Sequence, residues 1–500
     1  MGLPTSGERV FNANPSLGTF MTRFELLRVT LRRTGTPLSI NQKIFRAAAL
    51  IGLCTVVAKL ASTAKELSVA QWFGRTDSLD AFLIAFLLPS FVVGIVAGSI
   101  NNALIPVFID VREKLGQETA QRLFSSVSVL TVATLIGASV LIALLAPYYL
   151  PLLGSGFSPA KLILTRRILY LLLPFVVLSG AVSVWSAVLN AAEQFILPAL
   201  TPAITAVAII ALLFLGANKW GVFSLAAGTV VGQLGEAAWL AKALKMSGMR
   251  IRPSWAGADL HVRRVVVQCV PLAAGAFISG GTILVDQSMA TMLAPGSVAA
   301  LSYANRVTGV ILGIGTMALG RAVLPYFSGL VAREDWTGFR HTMRTYSRLT
   351  AGVTFPIMIL LFLFAKPVVR MLFERGAFTS ADTAVVGPVL AFYSIQIPFY
   401  ALGILSVNVL SSVKRNDVLF YVAGLNIVLD VILNLVLMKT MGVAGIALSS
   451  SLVSFVSLLF VGIFVLRMMK SGEQAALRIP NRHQELVVDR MGAINSESEK

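Results

Sequence analysis

Long apolar runs separated by short polar connections fill most of this chain. A helix crossing the hydrocarbon core of a bilayer needs about 20 apolar residues, and runs of that order recur twelve times. In the first half they fall at about 43–73, 79–108, 120–149, 162–190, 197–216 and 221–244. In the second half they fall at about 263–293, 298–328, 342–373, 382–411, 418–438 and 442–468. The pattern predicts an all-α polytopic membrane protein of two six-helix lobes, 43–244 and 263–470, joined by a linker at 245–262. A polar, arginine-bearing segment, 1–42, precedes the first lobe, and a polar tail, 471–500, expected to be mostly disordered, follows the second. Pro89, Pro174, Pro271 and Pro398 lie within runs, where neighbouring helices tolerate them.

The two lobes repeat one another. Ala81, Ala85, Gly94, Ile95, Ala103, Pro106 and Phe108 recur 219 residues later as Ala300, Ala304, Gly313, Ile314, Ala322, Pro325 and Phe327. At an offset of 221, Gly156-Phe157-Ser158 answers to Ala377-Phe378-Thr379 and Gly221-Val222 to Gly442-Val443. Duplicated apolar chains are the mark of two-lobed transporters, whose substrate sites lie between the repeats. An even number of helices per lobe keeps both lobes in one orientation. It therefore predicts a pseudo-two-fold axis along the membrane normal, with helices 1, 2, 7 and 8 lining the central space.

Composition sharpens this reading. Hydrophobic residues make up 56% and charged residues 13%, against roughly 25% charged in soluble domains. The net charge of +18 does not point to nucleic acid, because no basic patch is interleaved with exposed aromatics. Cations gather instead at Arg23–Arg46, Arg112–Arg122, Lys242–Arg264, Arg333–Arg348 and Lys414-Arg415. The alternate connections hold little beyond Arg75, Lys219, Arg375 and Lys439. This bias predicts that both termini are cytoplasmic. No cleavable leader is expected in the first forty residues, and Cys54 and Cys269 are expected to be free thiols.

Charges inside membrane helices are costly and mark function by default. Lys59, Lys65 and Glu66 fall in the first helix, Asp80 starts the second, and Arg306 lies in the eighth. Three cations around a central space suit a polyanion such as a diphosphate, arginine through paired contacts and lysine as a point charge. The plain alternative is snorkelling, or internal pairing of Lys65 with Glu66 or Asp80. Asn426 and Asp430 share one face of the eleventh helix, and Asp286 lies in the seventh. Two carboxylates and an amide form either an oxygen cage for a small hard cation such as sodium or a polar clamp between helices. Glu236 lies near the end of the sixth. An enzyme is not indicated. His261, His341 and His483 all lie in connections or the tail, and no phosphate-binding Gly-Lys-Ser/Thr loop occurs.

Several segments together resemble the MurJ/MviN family of the MOP exporter superfamily over roughly 45–470. They are Phe73-Gly74 through Asp80-Ala81-Phe82-Leu83-Ile84-Ala85-Phe86, Leu88-Pro89, Tyr303-Ala304-Asn305-Arg306, Leu324-Pro325, Glu374-Arg375-Gly376-Ala377-Phe378-Thr379 and Gly442-Val443-Ala444-Gly445-Ile446-Ala447-Leu448. The resemblance implies a flippase that carries a polyprenyl-diphosphate-linked saccharide, lipid II or a related cell-envelope glycan precursor, to the outer leaflet of the bacterial cytoplasmic membrane. It implies substrate contacts at Lys59, Lys65, Glu66 and Arg306, and the charge pattern itself adds Asp80 to the expected substrate site. It also implies sodium at Asp286, Asn426 and Asp430, no other cofactor, and membrane lipids and glycan-synthesis proteins as partners. The sequence departs from the family where Ser90-Phe91-Val92-Val93-Gly94 lacks the usual arginines, where Ala97-Gly98-Ser99 lacks an acid, and in stopping at twelve runs. Twelve is the count of polysaccharide flippases and drug exporters of the superfamily. An exopolysaccharide or O-antigen carrier, or a cation-coupled small-molecule exporter, is thus the alternative.

Overall fold

A computed structural model describes residues 40–251, 254–255, 257, 259–333, 335–413 and 416–478. The expectations for the N-terminal segment before residue 40 and for tail residues 479–500 lie outside the described residues. By contacts the chain divides into Met1–Cys54, whose described part is helical, and Thr55–Lys500, which holds the features below.

All regular structure among the described residues is helical. The order is α1 (Ile40–Phe73), α2 (Asp77–Leu115), α3 (Gln117–Leu153), α4 (Pro159–Ala191), α5 (Ile196–Trp220), α6 (Phe223–Met246) and α7 (Leu260–Ala290). There follow α8 (Ser297–Ala332), α9 (Trp336–Leu363), α10 (Ala365–Phe373), α11 (Ser380–Ser394), α12 (Gln396–Ser412), α13 (Asn416–Met441) and α14 (Val443–Arg478). Two expected helices are each split by one residue. The run at 342–373 breaks at Phe364 and the run at 382–411 at Ile395. A proline sits three residues beyond each break, Pro367 and Pro398. With no N–H to offer, each leaves the carbonyl four residues back without its helical partner, and its ring crowds that carbonyl. The final helix also runs past the expected start of the tail, to Arg478.

Eight segments among the described residues are long and apolar enough to cross a membrane. One of them, Asp77–Leu153, is two helices meeting at Gly116. Counting these apart, and adding α1, α6 and α8, which carry Lys65, Glu236 and Arg306, gives twelve crossings. α5 and α6 approach closely because Gly228 and Gly232 lie against the backbone of Ile209 and Thr205. One turn on, the buried Glu236 accepts a 2.6 Å hydrogen bond from Thr205. Asp335 starts α9 by accepting from the Gly338 N–H at 2.8 Å. That bond, with one from Thr337, holds its carboxyl below the usual carboxylate range.

Three apolar cores order the bundle. The largest draws on both repeats, from Val69, Phe73, Phe82 and Phe157 to Tyr303, Phe373, Phe378 and Ile446. It occupies the end where α1, α3, α7, α9 and α13 finish. The opposite end has two separate cores. One contains Phe108, Phe124 and Val188 with the start of α7, and the other contains Phe327, Phe339 and Leu405 from the second repeat alone. Among the described residues, then, one core spans the two repeats at the sealed end, while at the other, the divided end, the two cores stay separate and α7 alone of the second repeat joins the first. α7 lies along α2, with Phe91 against Phe277 at 5.6 Å between ring centres, and Arg264 meets Asp110 at 2.7 Å near the divided end.

Close backbone approach makes the seal. Gly156 faces the Thr291 carbonyl, where any Cβ would collide, and Ala377 donates its N–H to Gln71 O at 2.8 Å. Gly376 faces the Gln71 carbonyl in the same way, so a glycine of each repeat meets a carbonyl near a helix end of the other. Gly156→Ala should lower stability by about 1–3 kcal/mol, the usual cost of overpacking. Gly137→Ala, with nothing within 4 Å of the new methyl, should not. Thermal unfolding of the two purified variants checks the contrast.

Candidate functional site

Directly beneath the seal, charges from the two repeats meet. α1 ends in the apolar Val69–Phe73 turn, and one turn earlier it presents Lys65 and Glu66. α8 enters from the other repeat with Tyr303 in the shared core, its hydroxyl donating to Gly74 O at 2.8 Å. Arg306 follows three residues later. Glu66 Oε1 lies 2.7 Å from Lys65 Nζ and 3.4 Å from Arg306 Nε. The Arg306 side chain keeps 50% of its surface exposed, and Lys65 keeps 21%. Both retain donors for an anion arriving from the divided side. Pairing and anion binding are thus compatible: one carboxylate holds two cations in place, and the trio keeps a net positive charge.

The other two expected members of this group lie elsewhere. Lys59 is exposed and forms no described ion pair. Six residues from Lys65, it stands about 9 Å further along the helix axis, toward the divided end. Asp80 lies apart from this group. It is 1% exposed, and its oxygens accept from the N–H groups of Gly296, at 2.7 Å, and Ala299, at 2.8 Å. It therefore caps the first turn of α8 from the other repeat, offering a carboxylate to the positive end of a helix. Gly296 turns with φ +80° to present its N–H. Both Asp80 oxygens are committed to the protein, and none is left for substrate. Arg75 supports the same junction, donating to the carbonyls of Gly296 at 3.1 Å and Pro295 at 3.3 Å, and facing Asp382 at 3.5 Å.

A second polar group lies between α7, α13 and α14. Asp286 accepts from Asn434 at 2.7 Å and from Ser450 at 2.9 Å. The carboxyl of Asp430, 1% exposed, lies in the same polar cluster and takes a long 3.3 Å contact from Ser449. Asn426 donates to Ser457 at 3.3 Å. Asp430 Oδ2, Asn426 Oδ1 and Asn434 Oδ1 are buried with no hydrogen-bond partner. Three unpartnered buried oxygens and two adjacent carboxylates call for a positive charge among them, a metal ion or a shared proton. An all-oxygen donor set fits a hard cation such as sodium. Sequence reading missed Asn434, although it continues the four-residue spacing of Asn426 and Asp430 along α13.

Lys161 was missed as well. It falls just ahead of the run expected at 162–190 and stands in the first turn of the observed α4. Both cysteines are free, and Cys269 is half-buried.

Comparisons with known proteins bear on the family and the fold. A family profile described as the lipid II flippase MurJ matches residues 69–488. The chain is 28% identical over 432 residues to a probable lipid II flippase MurJ of Synechocystis sp., covering 82% of this chain and 79% of that protein. It is 27% identical over 433 residues to the protein of the same description from Thermotoga maritima, covering 85% and 86%. Among solved structures, a lipid II flippase MurJ in an inward closed conformation superposes with a TM-score of 0.72 at 22% identity, covering 86% of this chain and 91% of that one. An inward-facing multidrug resistance MATE family transporter of the MOP superfamily gives 0.69 at 12% identity, covering 84% and 96%.

The charged trio makes a specific prediction. Glu66→Gln removes the anion that separates Lys65 from Arg306. Inorganic pyrophosphate should then raise the thermal midpoint of the variant more than that of the wild type. Adding Arg306→Ala should abolish the gain, as a thermal-shift titration at constant ionic strength would show.

Proposed function

Because the chain belongs to the lipid II flippase MurJ family, we propose that it carries lipid II across the bacterial inner membrane, from the inner to the outer leaflet, by alternating access. The observation that supports this most directly is the Lys65–Glu66–Arg306 group, built from both repeats beneath the sealed end. A diphosphate there would touch the two halves that must rock against each other. On this reading the sealed end faces outward. The cation-rich connections, with Arg112, Arg122, Lys242 and Arg264, lie at the divided end, which the positive-inside bias assigns to the cytoplasm along with both termini. The divided end then admits substrate from the inner leaflet, and those basic connections offer the surface for glycan-synthesis partners. A cationic site disfavours an exporter of organic cations, which needs acidic walls. Membrane lipids bathe the exposed apolar helix faces, where residues such as Leu144, Leu215 and Leu363 project.

Arg306→Ala should cost about 1.5–3 kcal/mol of substrate binding, the range for a hydrogen bond to a charged group. Lys65→Arg, which keeps the charge, should be tolerated better than Lys65→Ala. Reconstituted flipping of a fluorescent polyprenyl-diphosphate saccharide measures both. Normal flipping by Arg306→Ala would refute the assignment.

Coupling is proposed to run through sodium at Asp286, Asn426, Asp430 and Asn434. With no nucleotide site in the sequence, an ion gradient or the membrane potential, about 2.3 kcal/mol per charge per 100 mV, must drive net export. The ion does so only if it binds the two end states unequally. Sodium at 100 times its dissociation constant should stabilise the wild type by about 2.7 kcal/mol, relative to choline at equal ionic strength. Asp430→Asn should lose that stabilisation. No difference between the salts in the wild type would leave the group as a polar clamp between helices.

A further inference from the structure

The seal contains a buried cation that the substrate and sodium sites do not use. Lys161 Nζ lies 3.1 Å from Asp80 Oδ2, also bonds Asp77, and rests 4.0 Å from the centre of the Phe157 ring. Its side chain is only 10% exposed. Every element of this arrangement belongs to the first repeat, whereas the other donors to Asp80, the N–H groups of Gly296 and Ala299, belong to the second. Lys161 and the Gly296 amide share one oxygen of Asp80.

We propose that Lys161 is the positioning residue of the seal: it holds and neutralises the Asp80 carboxylate so that this group can dock, dehydrated, on the N-terminus of α8. This rests on the alternating-access reading above. When the sealed end opens, the two amides withdraw with the second repeat and water reaches Asp80. Lys161 stays with its own repeat. A countercharge matters far more to a carboxylate in a dry junction than to a hydrated one. Lys161 therefore stabilises the sealed state more than the open one, and so sets the balance between them. Phe157 assists by holding the ammonium from its other side, and it lies in the 154–158 connection whose Gly156 abuts Thr291. The ammonium thus ties the axial contact at Asp80 to the peripheral contact at Gly156.

The test uses the full chain in liposomes, with Cys54→Ser and Cys269→Ser removing the native thiols. Gln71→Cys and Ala377→Cys, both at exposed positions joined across the seal by a backbone hydrogen bond, report closure. A short bifunctional thiol reagent links them, and intact mass gives the rate. Lys161→Met should slow cross-linking about tenfold, the lower bound for losing a charge-assisted hydrogen bond. Lys161→Arg should stay within about twofold of the parent, since it keeps the charge and the donors. Asp80→Asn should slow cross-linking, and adding Lys161→Met to it should change little more, because the carboxylate that needs a countercharge is gone. Parent-like cross-linking by Lys161→Met overturns the proposal. So does a full additional loss in the Asp80→Asn background, which would make Lys161 independent of Asp80. If Lys161→Met alone does not fold, the double variant, with neither charge buried, is compared with Asp80→Asn, and the same criterion decides. The cross-link must also stop flipping in the parent. Flipping that continues would instead refute the reading in which this end opens.

Discussion

A carboxylate withdrawn from water must find donors, and Asp80 finds them on the opposite repeat. Two backbone amides at the start of α8 have no partner within their own helix, and an aspartate at the start of α2 supplies one. Each half leaves unsatisfied what the other completes. The apolar core around Phe73, Phe157 and Tyr303 closes over this junction and keeps it dry, which in turn raises the cost of pulling it apart. The position of the charged trio follows. Tyr303 in the seal fixes α8, Val69–Phe73 fix α1, and Lys65, Glu66 and Arg306 come to lie one turn below.

The two polar groups of the molecule are built on different logic. Beneath the seal, unlike charges from two repeats are paired while keeping exposed surface, so the group is both satisfied and accessible. Between α7, α13 and α14, like charges are packed together, and three oxygens are left wanting. The first can exchange an internal partner for an external anion. The second is incomplete until a cation or a proton joins it. On the coupling proposed above this contrast matters, since a site at ease both full and empty biases nothing.

The fold was legible because membrane helices announce themselves through run length, and because the offset of 219 survived as matching small residues and prolines. Helix breaks were less visible, since each needs a proline's missing N–H to be weighed against neighbouring packing. At the sites, Lys65, Glu66 and Arg306 could be read as a group because charge inside an apolar run is rare. The same rule misplaced Asp80, since a charge at a helix start can serve as substrate ligand or as cap for a distant helix, and only tertiary pairing separates the two. Lys161 left no signal, because a lysine in the first turn of a helix is ordinary until its neighbours are known. Asn434 was recoverable from its four-residue spacing after Asp430 but was overlooked as a neutral residue.

Asp80 and Ala299 occupy equivalent positions of the two repeats, 219 residues apart, and they touch each other. Residues on a two-fold axis necessarily meet their own counterparts. Had both been aspartate, two carboxylates would have faced each other across the axis; had both been alanine, the amides at the start of α8 would have lost their cap. The junction works only because the counterparts differ. A homodimer encoded by a single-repeat gene cannot place different residues at its axis. This closure therefore belongs to a time after duplication, when the two halves were first free to diverge.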